Sequence, residues 1–237
     1  MSELTWLLDP TTGGLTVEGL SLERASVLVD DLLGPGAELG CARPRVLLPP
    51  PAESGTESAN IPSLRIAGYY HDSLVEGPGR RSSVLVTGCT LGCPGCWVPQ
   101  LHPADDGTPV AVDRLADVLL DPSHARDGIS VLGGEPFQQP DGLLGLVRTL
   151  RERGCSHVLC YSGFTYEALR RRAVRKSAID AVLDEIEMLI DGPYVEALAT
   201  AAGPWTGSGN QRVIDLVATR RAGCVIRWDG PLADRRW

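Results

Sequence analysis

The sequence predicts an α/β protein with a parallel sheet and crossover helices, preceded by a small α+β extension. Three observations carry this reading. From about Ile61 onward, short apolar runs alternate with amphipathic stretches of helical period, the pattern of repeated strand–helix–strand units. Residues 1–48 differ in texture, and the stretch Pro49 to Asn60, which holds no large apolar residue, reads as a linker. The unusual residues follow predicted strands, where ligands collect in such folds. The predicted division is therefore an extension over 1–48, a linker over 49–60 and the main domain over 61–237.

In chain order, Trp6-Leu7-Leu8 and Leu15-Thr16-Val17 flank a turn-rich segment and predict a hairpin. Ser21 precedes Leu22, Ala25, Leu28, Val29, Leu32 and Leu33 at helical spacing, stopped by Gly34-Pro35-Gly36. Val46-Leu47-Leu48 predicts one further short strand. In the main domain, Ser83–Thr87 reads as a buried strand ending at Gly88, and Val112–Leu120 has a helical pattern. Ile129–Leu132 is a strand ending in two glycines. Leu143–Arg153 is a helix with Leu143, Leu146, Val147 and Leu150 on one face. Val158–Tyr161 reads as a strand, Tyr166–Arg175 as a helix, and Met188–Ile190 as a strand ending at Asp191-Gly192-Pro193.

Composition narrows the function. The chain of 237 residues is 43% hydrophobic and 22% charged, as globular domains are, with no run long enough to span a membrane. The Met-Ser-Glu-Leu-Thr start lacks the features of a secretory signal, so a cytoplasmic location is expected. A net charge of −8 argues against nucleic acid or anionic lipid as partners. Seven cysteines, odd in number and unevenly spread, are not the framework of a disulfide-stapled domain.

Three of those cysteines form the strongest signal, Gly88-Cys89-Thr90-Leu91-Gly92-Cys93-Pro94-Gly95-Cys96-Trp97, on a glycine-rich loop just after a strand. Three thiolates this close can hold three irons of a [4Fe-4S] cluster and leave the fourth iron open. The other reading is a zinc site with His102 as the fourth ligand. Structural zinc usually uses two separated ligand pairs, and no second C-x2-C occurs here. Cys155 and Cys160 read as a packed thiol and a strand-end residue, Cys41 and Cys224 as small apolar residues.

The arrangement resembles the radical S-adenosylmethionine (SAM) superfamily. Asp72-Ser73-Leu74-Val75-Glu76-Gly77-Pro78-Gly79-Arg80-Arg81 is similar to the S-x-V-D-G-P-G-x-R segment of glycyl-radical-enzyme activating enzymes, with Glu76 where that family has Asp. Gly133-Gly134-Glu135-Pro136 is similar to the family's GGEP, and Trp97 stands where the family places an aromatic residue. Cys160 to Glu167, Ile190 to Tyr194 and Gly207 to Asp215 resemble segments of the activating proteins of anaerobic ribonucleotide reductases.

The resemblance implies a partial (β/α) barrel of the radical SAM type. Its implied cofactors are a [4Fe-4S] cluster on Cys89, Cys93 and Cys96, with SAM chelating the open iron. The SAM site would comprise Gly95, Trp97, Gly133, Gly134, Glu135, Pro136, Tyr161 and Ser162. The implied reaction is reductive cleavage of SAM to a 5′-deoxyadenosyl radical that takes hydrogen from a glycine of a partner glycyl radical enzyme. A flavodoxin or ferredoxin would donate the electron. Two alternatives stand beside this: a radical SAM enzyme acting on another peptide or small molecule, and a non-catalytic zinc-binding interaction protein.

At the level of single residues, Gly133 and Gly134 allow close backbone approach to a ligand or simply a tight turn. Glu135 could pair with an ammonium or lie solvated, and Ser162 could reach a ribose hydroxyl or cap a turn. Residues 148–176 carry Arg148, Arg151, Arg153, Arg170, Arg171, Arg172, Arg175 and Lys176, whereas 177–200 carry acids and no base. These charges predict solvated helix faces, or a docking face for a partner protein or an electron donor.

Overall fold

The computed structural model describes residues 62–230 and the backbone of two short strands near the start of the chain. Those strands, β1 (Thr5–Leu8) and β2 (Leu15–Glu18), pair antiparallel as the predicted hairpin does. The chain divides into two compact units, with the hairpin in the first and residues 62–230 in the second. The predicted helix after Ser21, the strand at Val46, the linker and Cys41 lie outside the described residues.

The second unit is built on β3 (Ser63–Ser73), β4 (Arg81–Val86), β5 (Thr108–Ala111), β6 (Gly128–Gly133), β7 (Val158–Ser162), β8 (Met188–Asp191) and β9 (Arg212–Asp215). They form one seven-stranded sheet in the order β5-β3-β4-β6-β7-β8-β9. The central four, β4, β6, β7 and β8, are parallel, as the strand–helix alternation predicts. The edges depart from that prediction. β3 runs antiparallel to both β4 and β5, and β9 antiparallel to β8. The short loop from Leu74 to Arg80 explains one reversal, because it cannot carry a crossover and so returns the chain beside itself. The sheet is mixed and open.

The helices are α1 (Val112–Leu119), α2 (Pro140–Glu152), α3 (Tyr166–Ala173), α4 (Ser177–Glu185) and α5 (Leu216–Ala222). The predicted helix over Tyr166–Arg175 is α3, which ends two residues earlier, and α4 follows it after Val174–Lys176 as a helix the sequence reading did not place. On α2 the predicted face of Leu143, Leu146, Val147 and Leu150 is fully buried. Each such side chain contributes roughly 1.5–3 kcal/mol of transfer free energy. All five helices join one core with Val84, Val86, Ile129, Val131, Val158 and Cys160.

Strand side chains alternate between faces, and the other face is different in kind. Leu159, Met188 and Ile190 form a small apolar cluster there with Tyr161 and Trp205. Beside them lie polar groups, Arg81 and Ser130 among them. Arg81, at the start of β4, is fully buried. Its guanidinium donates to Ser130 Oγ (2.6 Å), the Ile129 carbonyl (2.6 Å) and the Pro78 carbonyl (3.1 Å), and lies 3.2 Å from His157 Nδ1. Ser130 Oγ in turn donates to the Glu76 carbonyl (2.6 Å), which fastens the β3–β4 loop. Among the described residues no helix is long and apolar enough to cross a membrane.

Candidate functional site

The parallel strands β4, β6, β7 and β8 end together around a cavity of about 470 Å³. That volume lies within the roughly 300–1,000 Å³ of small-molecule sites. Cys89, Cys93 and Cys96 line it from the loop after β4, Gly133 and Gly134 from the end of β6, and Tyr161 and Ser162 from β7.

Backbone bonds shape the cysteine loop. Gly88 N–H donates to the Leu101 carbonyl (2.8 Å), Cys89 N–H to the His102 carbonyl (2.9 Å) and Cys96 N–H to the Cys93 carbonyl (3.2 Å). The three thiols are free and half-buried. Burial pushes the Cys89 thiol up, and the N–H groups of Leu91 and Gly92 act against that by favouring its thiolate. Gly95 turns the loop at φ 71°, where a Cβ would lie 2.7 Å from the Glu196 carboxyl carbon.

Among the described residues, no three His, Cys, Asp or Glu side chains converge as ligands of one metal ion do. A cubane instead presents a separate iron to each thiolate, so its ligands surround a volume rather than a point. A soft all-thiol donor set, half-exposed on one cavity and supported by backbone N–H groups, fits such a cluster. His102 also lines the cavity.

The Gly133-Gly134 turn is stitched to that loop. Gly134 N–H donates to the Val86 carbonyl (2.8 Å) and Glu135 N–H to the Gly88 carbonyl (2.8 Å). A Cβ on Gly134 would meet the Gly88 oxygen at 2.6 Å, so only glycine allows the two loops this approach. Glu135 is fully buried behind the cavity wall rather than lining it. Its carboxylate accepts from Phe137 N–H (3.0 Å), Gly163 N–H (2.8 Å) and Ser162 Oγ (3.0 and 3.1 Å). Burial pushes its carboxyl up to about 7, against the pull of those donors and of Arg172. Pro136, also buried, opens the short turn that follows.

Tyr161 donates its hydroxyl to the Trp205 carbonyl (2.9 Å). Trp97 lines the mouth at 71% exposure, and its Nε1 donates to the Tyr194 hydroxyl (3.2 Å), with ring centroids 5.7 Å apart. The structure thus gathers the cysteines, Trp97, Gly133, Gly134, Tyr161 and Ser162 on one cavity, with Glu135 and Pro136 buried behind its wall and Gly95 exposed on the cysteine loop outside the lining.

Sequence reasoning assigns no role to several further lining residues. Glu76 reaches the cavity from the β3–β4 loop, bonded to the Tyr70 hydroxyl, and burial raises both groups. Tyr194, Trp205 and Gln211 close the opposite side. Glu76 and Tyr194 both fall within quoted motifs, which is the signal that could have drawn attention to them.

Comparison with known proteins accords with this geometry. Residues 75–214, more than half of the chain, match the model of the family described as 4Fe-4S single cluster domain. The anaerobic ribonucleoside-triphosphate reductase-activating protein of Escherichia coli (strain K12) is 32% identical over 154 residues, covering 62% of this chain and 96% of that protein. Its namesake in Salmonella typhimurium is 31% identical over 159 residues, or 65% and 99%. That of Vibrio cholerae is 29% identical over 149 residues, or 60% and 92%. The chain belongs to the 4Fe-4S single cluster domain family, alongside the activating proteins of anaerobic ribonucleoside-triphosphate reductases.

Proposed function

We propose that this protein is a radical SAM activating enzyme that installs a radical on a glycine of a partner glycyl radical enzyme, a reductase of the anaerobic ribonucleotide type. The observation that carries the reading is the cavity on which the cysteine loop and the Gly133-Gly134 turn, bonded to each other, both open. Cys89, Cys93 and Cys96 would hold the [4Fe-4S] cluster. When bound and reduced, the cluster supplies the electron that cleaves SAM to methionine and a 5′-deoxyadenosyl radical.

The chain's own residues position and shield. Gly133 and Gly134 present bare backbone to the amino end of SAM. Glu135 holds the Ser162–Gly163 corner of β7 against the same turn, so that Ser162 and Tyr161 keep their places on the wall. Trp97, steadied by Tyr194, offers an aromatic face to the adenine at the mouth. Trp205 and the apolar side chains beneath it exclude water from the far side. We read the open sheet, with α1 to α5 on one face and polar groups on the other, as a partial barrel of the radical SAM type. Residues 61–237 would form that domain and act in the cytoplasm, with 1–48 an appended module beyond a linker.

The test is to mix the reduced, reconstituted protein and SAM with a purified anaerobic ribonucleoside-triphosphate reductase and record electron paramagnetic resonance. A glycyl radical doublet on the reductase is expected. Deoxyadenosine without that doublet would transfer the reading to another peptide or small-molecule substrate.

A further inference from the structure

The basic segment around α3 resolves into two sets of residues. Arg148 pairs with Glu185 (2.8 Å), Arg151 with Glu187, Arg153 with Asp113 and Asp117, and Arg170 with Asp180 (2.7 Å). These ion pairs run between neighbouring elements and offset the charge of those arginines. Arg171, Arg175 and Lys176 are exposed and have no ion-pair partner among the described residues. Between them stands Val174, 88% exposed, more than any other large hydrophobic residue described. A chain of net charge −8 therefore keeps one patch of uncompensated positive charge around an apolar centre.

The position of that patch gives it meaning. Arg172 lies over the Phe164 ring, 3.9 Å from its centroid, and is near enough to bear on the Glu135 carboxyl. Phe164 follows Gly163, and Gly163 lies so close to Leu91 that a Cβ there would sit 2.3 Å from a Leu91 methyl. The Leu91 N–H faces the Cys89 thiol. A short series of contacts thus runs from Cys89 through Leu91, Gly163 and Phe164 to Arg172. Meanwhile Leu169 and Ala173 bury the opposite side of α3 in the helix-side core, away from the cavity lining.

Resting on the function proposed above, we infer that the patch of Arg171, Arg172, Val174, Arg175 and Lys176 is the docking surface for an acidic one-electron carrier protein. Charge complementarity identifies the partner, because a basic patch on an acidic protein favours an acidic surface and raises its encounter rate. The patch lies on the exposed side of α3 and the turn after it, and none of its residues lines the cavity, so a docked carrier leaves the cavity free for SAM and a polypeptide. The reduced carrier, oxidised by one electron, would supply that electron to the [4Fe-4S] cluster that Cys89, Cys93 and Cys96 would hold. Nucleic acid fits less well, since the rest of the acidic chain repels it.

The experiment uses the full chain, reconstituted, with purified flavodoxin and a [2Fe-2S] ferredoxin as probes. Binding is measured by titration at about 50 and 200 mM salt, and cluster reduction by stopped-flow absorbance. The wild type should bind one probe with affinity falling severalfold or more across that salt range. The variant Arg171→Glu/Arg175→Glu/Lys176→Glu should lose about tenfold or more in both affinity and reduction rate. Its reduction by dithionite, and its deoxyadenosine yield with dithionite, should match the wild type. A single Arg221→Glu change outside the patch should alter none of these.

Wild-type binding of the variant to the carrier would overturn the inference. So would wild-type protein that binds neither probe, or that binds duplex DNA in their place. Failure of the proposed function reads differently, as no deoxyadenosine from the wild type even with dithionite.

Discussion

Strand β4 joins two regions built on opposite terms. At its start, Arg81 is fully enclosed, and its N–H groups are spent on Ser130, Ile129, Pro78 and His157. At its end, the three thiols of the next loop are half-buried and bonded to no one another, facing a cavity. The closed end turns its polar groups on itself and holds the sheet. The open end leaves its thiols unspent on the cavity. The lesson is that polar residues near a strand terminus read as functional only when their bonds are not already made.

Changes at the two ends should separate accordingly, and the largest effect belongs to the open end. Cys93→Ala should abolish cluster retention and deoxyadenosine formation while the stability of the apoprotein stays within about 0.5 kcal/mol of wild type. Iron, sulfide and product assays beside a urea titration check both halves. Normal SAM cleavage by that variant would remove the thiol from the ligand set.

Arg81→Met reverses the pattern. It strands the carbonyls of Ile129 and Pro78 and frees the β3–β4 loop, and should cost about 2–4 kcal/mol in a urea titration of the apoprotein. Variant that remains folded should still take up iron and sulfide. An unchanged urea midpoint would show that the buried guanidinium holds nothing.

Between the two ends, pH should act with opposite signs. The Glu135 carboxyl is pushed up from 4.5 to about 7 and the His157 imidazole down from 6.5 to about 4, both chiefly by burial. From pH 4.5 to about 7 the unfolded chain releases the Glu135 proton while the folded chain keeps it, so stability falls as pH rises. From pH 6.5 down to about 4 the unfolded chain takes up the His157 proton and the folded chain does not, so stability falls as pH drops. Glu135→Gln should remove the first slope and His157→Gln the second, each on the order of 1 kcal/mol per pH unit. Identical pH–stability profiles for wild type and both variants would contradict the burial account.

The smallest effect is expected at the rim. Trp97 is 71% exposed and anchored by one hydrogen bond, so Trp97→Ala should leave stability within about 0.5 kcal/mol. SAM binding, measured by calorimetry, should weaken severalfold. Unchanged SAM affinity would take Trp97 out of the site.

The parallel centre of the fold is legible in the sequence because strands covered on both faces read as short apolar runs, as at Ile129–Leu132 and Met188–Ile190. The antiparallel edges are not. β3 mixes Arg65, Gly68, His71 and Asp72 into its run, and β9 is four residues set within a glycine-rich motif. The break between α3 and α4 falls at Val174-Arg175-Lys176, where no glycine or proline announces it.

The cysteine loop is legible because its ligands are adjacent in sequence. The link from Glu135 to Ser162 spans 27 residues and leaves no local signature, so the sequence suggests an acid free to meet a ligand where the structure holds it between two strands. Cys224, read as a small apolar residue, is exposed on the loop after α5.

The most direct test of the account is electron paramagnetic resonance on the anaerobically reconstituted, reduced protein, with and without SAM, assaying 5′-deoxyadenosine in the same tubes. A [4Fe-4S]⁺ signal that changes on adding SAM, together with deoxyadenosine, is the predicted result. A protein that binds one zinc ion and yields neither would contradict it.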